Sequence, residues 1–255
     1  MTYFENDKVK LYLGDCLEVL ETIDSESVDM IFADPPYFLS DGKSFYKDGK
    51  CIPIDKGDWD KAVSFEEKHR FNINWIRACR RVLKPNGTIF VSGTYHNIFS
   101  CGVALEQEGF SILNNITWQK KNPPPNFACR YFTHSTENII WAKKSPEAKH
   151  TFNYKLMKEL NNGKQQKDVV VGNIISTSEK KFGKHPTQKP KYLLDFLIKS
   201  ASNEGDLILD PFAGSSTTGV SAVSLGRRYI GIDKSEEYLE LSKKRLEDTM
   251  ISYFR

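Results

Sequence analysis

Short apolar, β-rich runs alternate with helical stretches along this chain. The runs are "VKLYL" (9–13), "VDMIFA" (28–33), "GTIFVS" (87–92), "ILNNITW" (112–118), "ENIIWA" (137–142), "LILD" (207–210) and "RYIGID" (228–233). One helix is predicted to start at Ser64, where "SFEE" can form a capping box with Glu67, and to run through "WIRACRRVL". Lys84-Pro-Asn-Gly87 should stop it and turn the chain into a strand. Further helices are expected near 95–108, 189–202, 216–225 and 235–247. Strands alternating with helices of this length predict right-handed βαβ units. The expected fold is α/β, a doubly wound, mostly parallel sheet.

Two stretches break the alternation. Residues 38–62 are rich in Gly, Asp and Lys and read as a long surface loop. Residues 143–186 are polar, basic and weakly periodic, as in "NNGKQQKD" and "STSEKKFGKHP". Long irregular segments inside a compact domain are usually functional or mobile.

Composition changes this picture little, but charge distribution does. With 39% hydrophobic and 27% charged residues, the 255-residue chain is an ordinary globular one. No apolar run could span a bilayer, and the N-terminus lacks a signal pattern. The 5 cysteines include no C-x-x-C pair, so neither a disulfide framework nor a zinc site is suggested, and a reducing cytoplasm fits. Net charge is only +3, yet residues 120–191 hold 15 Lys/Arg against 5 Asp/Glu. The rest of the chain holds 21 basic against 28 acidic residues. The basic stretch also carries Tyr131, Phe132, Trp141, Phe152 and Tyr154, a mixture suited to a polyanion such as nucleic acid.

Candidate chemistry sits at two strand ends. In "ADPPYFLS" (33–40), Pro35 and Pro36 end a strand and also stiffen Asp34 and Pro35, the residues that precede them, with Tyr37 directly after. Near the C-terminus, "DLILDPFAGSSTTGVSAVSLGRRYIGID" reads strand, glycine-containing turn, helix, strand, acid. Such a turn gathers free backbone N–H groups at the positive end of a helix dipole. Asp233 follows Asp210 by 23 residues, a spacing at which an acid commonly receives ribose hydroxyls. The chain has neither G-x-x-x-x-G-K-[ST] nor G-x-G-x-x-G, which argues against a P-loop enzyme and a nicotinamide-dependent dehydrogenase. A nucleoside-like ligand without a pyrophosphate is indicated, with S-adenosylmethionine (AdoMet) the candidate.

Taken together, "DPPY" (34–37) and "DPFAGSSTT" (210–218) resemble the amino-group DNA methyltransferases. The catalytic motif precedes the cofactor motif with the basic segment between, the permuted order of the β class. The resemblance extends to "GDCLEVL" (14–20), "LKPNGTIFV" (83–91), "TENIIWA" (136–142) and "HPTQKP" (185–190). "KGDWDK", "LNNITWQKKNPPPN" and "RYFTHSTE" are similar to the smaller adenine methyltransferases of DpnII-type restriction systems. One departure is Ser216, where the family usually has glycine. A positive φ there would cost serine up to about 1 kcal/mol, whereas a plain helix start would suit it as a cap. The second reading is preferred.

The resemblance implies AdoMet-dependent transfer of a methyl group to N6 of adenine in DNA, with GATC as the implied target. Asp34 and Pro35 would accept the two amino hydrogens, with Pro36 stiffening the clamp and Tyr37 stacking on an extruded base. Phe38 could add an apolar wall. The cofactor would meet Asp15, Cys16, Asp34, His185, Thr187, Lys189, Asp210, Phe212, Gly214, Ser215, Ser216, Thr217 and Asp233. Of these, Asp15 would face the adenine amino group, Asp233 the ribose, and Thr187 and Lys189 the methionine carboxylate. No metal is expected. The expected organisation is a catalytic half (1–142, with the 38–62 loop), a target-recognition segment (143–184) and an AdoMet-binding half (185–255). That segment holds 10 Lys against 4 acids, the lysines for phosphates and its Asn and Gln for base edges. DNA and a cognate restriction endonuclease are the implied partners, and a homodimer is left open. The competing readings are an N4-cytosine methyltransferase, which generally has Ser in place of Asp34, a glutamine methyltransferase, whose cofactor motif comes first, and a non-catalytic DNA-binding relative.

Overall fold

The computed structural model describes residues 1–38, 44–47, 50–53, 64–127, 129–183 and 185–253. Of the loop expected over 38–62, only Phe38 and the backbone of a short antiparallel hairpin, β4 (Ser44–Lys47) and β5 (Lys50–Pro53), fall within them. "KGDWDK" and Lys184 lie outside.

A nine-stranded sheet forms the frame, in the order β1-β2-β11-β10-β3-β6-β8-β7-β9. Its strands are β1 (Thr2–Glu5), β2 (Val9–Leu13), β3 (Val28–Ala33), β6 (Leu83–Gly93), β7 (Ser111–Lys120), β8 (Thr136–Lys143), β9 (Val169–Gly172), β10 (Leu207–Asp210) and β11 (Arg228–Asp233). The five from β2 to β6 are mutually parallel. Helices cover both faces of these central strands, which is why they read as apolar runs rather than alternating ones. One face packs against α1 (Cys16–Thr22), α2 (Phe65–Val82) and α3 (Ile98–Gln107), with Trp75, Ile76 and Leu105 fully buried. The other packs against α5 (Lys191–Ala201), α6 (Thr217–Ser224) and α7 (Glu236–Tyr253), with Leu193, Leu197 and Leu239 fully buried. Strands 9–13 and 228–233 lie side by side although they come from opposite ends of the chain.

The connections leaving β3 move one way across the sheet and those leaving β10 move the other. These two neighbours therefore flank the topological switch point, where ligands settle against strand carboxyl ends in open α/β sheets. Asp34 follows β3 and Asp210 ends β10.

The capping box at Ser64 is present, with Ser64 Oγ accepting from Glu67 N at 3.2 Å and Glu67 Oε2 accepting from Ser64 N at 3.0 Å. The expected turn at 84–87 is not a separate element: α2 ends at Val82, and β6 already includes Lys84-Pro-Asn-Gly87. Pro85 biases Lys84 toward extended backbone. Gly87 lets the strand lie against Leu83 and Asp29, since a Cβ there would sit 2.9 Å from the Asp29 carbonyl oxygen.

Two elements within residues 143–183 belong to the main body of the fold. They are α4 (Tyr154–Leu160) and β9, which pairs in parallel with β7. β9 is four residues long with alternate positions exposed, too weak an apolar signal to stand out beside its lysine-rich neighbours. Among the described residues no helix is long and apolar enough to cross a membrane.

Candidate active site

A cavity of about 590 Å³ opens at the switch point, a size suited to a nucleoside-sized ligand. Of the expected cofactor residues, Cys16, Asp34, His185, Thr187, Lys189, Asp210, Phe212, Gly214, Ser215, Thr217 and Asp233 line it, together with Pro36 and Phe38 of the first motif. Asp15 and Ser216 do not. Asp15 caps α1, accepting from Leu17 N at 2.8 Å, and its Oδ2 pairs with Lys234 at 2.6 Å. Against the effect of burial, that ammonium and the cap amide hold its carboxyl below the usual range.

The glycine-containing turn is held from three sides. Asp233 accepts from Gly214 N and from Ser235 N, both at 2.8 Å, so one acid ties the turn to the start of α7. Asp210 accepts from Phe212 N at 3.0 Å and from the Thr218 hydroxyl at 2.6 Å. Burial, with Asp34 and Asp233 nearby, pushes its carboxyl up to about 7. Beneath the turn, Ser242 donates to the Gly214 carbonyl at 2.9 Å, and the Arg245 guanidinium reaches the Ser215 and Thr217 hydroxyls. Gly214 has φ +51°, and a Cβ there would meet the His185 ring at 3.0 Å. That ring packs edge-on against Tyr238, and burial, with Lys189 and Arg245 close by, pushes its pKa down to about 4. His185 is therefore neutral at ordinary pH.

Ser216 corrects the sequence reading. It does stand at the N-cap of α6, but with φ +51° and ψ +42° and no side-chain cap hydrogen bond, so the position is left-handed as well as at the helix start. Its hydroxyl instead turns into the core and accepts from the buried Tyr229 phenol at 3.2 Å. That phenol fills space left by Gly219 and Gly231, where any Cβ would collide with it.

Asp34 stands in a buried chain of charges. Lys189 Nζ donates to its Oδ2 at 2.5 Å, and the Tyr37 hydroxyl donates to its Oδ1 at 2.6 Å. Lys189 also lies 3.1 Å from the Tyr37 hydroxyl and 3.5 Å from Glu137 Oε2, and Glu137 Oε1 pairs with Lys120 at 2.6 Å. Burial pushes the Asp34 carboxyl up, against the pull of Lys189. Lys189 is held charged despite burial by Asp34, Tyr37 and Glu137. Glu137, buried as well, is held low by Lys189 and Lys120. Lys189, expected at a cofactor carboxylate, thus faces the acid of the other motif. Tyr37, expected to stack on a base, has its ring buried and its hydroxyl engaged.

Four positions went unnoticed in the sequence. Asn97 donates to the Pro36 carbonyl at 2.9 Å and is itself held by Asn72 at 2.7 Å, which fixes the diproline from α2 and α3. Glu137 and Lys120 sit on different strands, and Arg245 is a mid-helix arginine on α7. Only the third dimension makes them neighbours of the site.

The family described as DNA methylase matches residues 28–244. The Type II methyltransferase M2.LlaDCHI of Lactococcus lactis subsp. cremoris is 60% identical over 245 residues, which span 96% of this chain and 91% of that protein. The Type II methyltransferase M2.DpnII of Streptococcus pneumoniae is 60% identical over 246 residues, spanning 96% and 92%. Among solved structures, the M1.HpyAVI–SAM complex superposes with a TM-score of 0.70 at 28% identity, over 93% of this chain and 98% of that one.

Proposed function

This chain belongs to the DNA methylase family, and from that premise we propose that it transfers a methyl group from AdoMet to N6 of adenine in DNA. We further assign it to the modification half of a restriction–modification system acting at GATC, as the likeness to M2.DpnII suggests. The observation that carries the reading is that Asp34 shares one cavity with the Gly214 turn and Asp233.

The residues present suit AdoMet. The close approach of the turn at Gly214, the apolar wall of Phe212 and the half-buried Asp233 carboxylate match a nucleoside with ribose hydroxyls. When bound, AdoMet supplies an electrophilic methyl on a sulfonium. Adenine N6 is a poor nucleophile because its lone pair is delocalised into the ring. Asp34 draws that lone pair out by accepting one amino hydrogen, and the Pro35 carbonyl accepts the other. A carboxylate has about four lone-pair sites, so Asp34 can take the amino hydrogen while keeping Lys189 and Tyr37. Lys189 favours the carboxylate form of Asp34 against the effect of burial, and Glu137 offsets the ammonium charge next to a nitrogen that is becoming positive. Asn97 fixes the diproline so that the acceptors do not reorganise during transfer.

An N4-cytosine substrate is the second reading. Asp34, where those enzymes generally carry Ser, favours adenine. Labelled methyl transfer to duplexes with and without a single GATC tests the proposal. Incorporation is expected only with the site present, and equal incorporation into both would refute the GATC assignment.

A further inference from the structure

The sheet sorts the basic segment into two ends. β6 and β7 are both antiparallel to β8, so β7 runs toward the Asp34 end and β8 runs away from it. Residues after β8 therefore emerge at the far end. Lys144 there donates to the Leu83 carbonyl and pairs with Glu26, and Lys149 N donates to Asn86. α4, which carries Lys155 and Lys158, is tied down by Asn153 to the carbonyls of Lys199 and Ser202 at the far end of α5. These lysines stand away from the cavity.

The loop between β7 and β8 emerges at the cavity end. Its stem is closed by Lys120 N donating to Ser135 O at 2.7 Å. The ion pair of Lys120 with Glu137 joins the same stem to Lys189, and through it to Asp34. Residues 121–135 hold Lys121, Arg130 and His134 and no acid. Phe132 is 95% exposed and Tyr131 59%. Tyr131, His134 and Tyr95 form a run of rings with successive centroids 5.3 Å apart, and Tyr95 lies just beyond β6. An exposed apolar ring beside cations and without acids suits a polyanion with stackable faces.

We propose that this loop, rather than the 143–168 stretch, is the surface that meets the DNA duplex. Phe132 and Tyr131 enter or abut the base stack next to the extruded adenine, and Lys121 and Arg130 take flanking phosphates. The inference rests on the reading of the chain as a DNA methyltransferase.

The test compares duplex-binding affinity, by fluorescence anisotropy, of the full chain with that of a Tyr131→Ala/Phe132→Ala variant and an Arg130→Ala variant. AdoMet affinity and unfolding temperature are measured alongside. The aromatic variant should bind DNA about tenfold or more weakly, with both controls unchanged. Arg130→Ala should lower the slope of log affinity against log salt by about one. Wild-type DNA affinity in the aromatic variant would overturn the proposal, as would a larger loss in Lys149→Ala/Lys155→Ala/Lys158→Ala than in the loop variants. Failure of the unaltered protein to methylate any DNA would instead strike the functional reading itself.

Discussion

Lys189 Nζ lies 2.5 Å from Asp34 Oδ2 and so joins two motifs 155 residues apart in sequence. Both side chains are nearly enclosed, at 7% and 13% exposure, and water does little to screen them. On the proposed mechanism the lysine is there for the acid: it opposes the effect of burial, which disfavours the carboxylate form.

Removing that ammonium should therefore move a titration. Burial already pushes the Asp34 carboxyl up, and Lys189 is the main opposing influence. Lys189→Met should shift the acid limb of kcat/KM upward by about one pH unit or more. A pH–rate profile reads this directly. An unmoved limb would show that Lys189 serves only the cofactor.

Asp34→Ala should abolish transfer and leave AdoMet affinity within a few-fold, because the carboxylate acts on the base. Breaking a buried ion pair costs about 3–5 kcal/mol, but Glu137 remains 3.5 Å from Lys189 and should hold the loss toward the low end. Isothermal titration with AdoMet and urea unfolding separate the two effects. Substantial residual turnover would remove Asp34 from its role.

Tyr37→Phe should not be harmless, as a pure stacking role would make it. Its hydroxyl donates to Asp34 Oδ1 at 2.6 Å, and a hydrogen bond to a charged group is worth about 1.5–3 kcal/mol. A loss of about tenfold in kcat with AdoMet affinity unchanged is expected from steady-state kinetics. Full activity in Tyr37→Phe would restore the stacking role.

Ser216 and Tyr229 should behave as a coupled pair. Ser216→Gly relieves a left-handed serine, worth about 1 kcal/mol, but strands a buried phenol, which costs about 1–3 kcal/mol. The single variant should be neutral to mildly destabilised, and Ser216→Gly/Tyr229→Phe should recover the difference. Additive effects in a double-mutant cycle of urea unfolding would contradict the coupling.

His185 should make the protein acid-sensitive. Its folded pKa is down to about 4 from 6.5, so between these values the unfolded chain binds the extra proton. Its contribution to stability is present above pH 6.5 and lost as pH falls through about 4. Asp210 acts the other way, its contribution being present below 3.8 and lost as pH rises through about 7. Comparing the protein with His185→Gln cancels Asp210. The difference in urea midpoint between them should shrink from pH 7 to pH 4.5.

Much of this architecture was legible in the chain. The long buried strands announced themselves as apolar runs, and the Ser64 capping box fixed the start of α2. Asp34, Gly214 and Asp233 could be singled out because a strand end followed by prolines or by a glycine turn leaves a local signature. Glu137 and Lys120 lie in stretches that carry the family resemblance, but their roles, like that of Asn97, have no local signature, since each matters through a partner on another strand or helix. The direction of β8 was equally hidden, and with it the end of the sheet at which Lys144 and Lys149 emerge. The Ser216 backbone was not legible, because a helix start and a left-handed residue read as alternatives in the sequence and coincide in the fold.

The central claim is that Asp34 is an acceptor for the amino group of adenine. Its most direct test is nucleoside analysis of DNA after incubation with the protein and methyl-labelled AdoMet. The account predicts label in N6-methyl-2′-deoxyadenosine alone, lost in Asp34→Ala. Label in N4-methyl-2′-deoxycytidine, or none from a protein that binds both AdoMet and DNA, would contradict it.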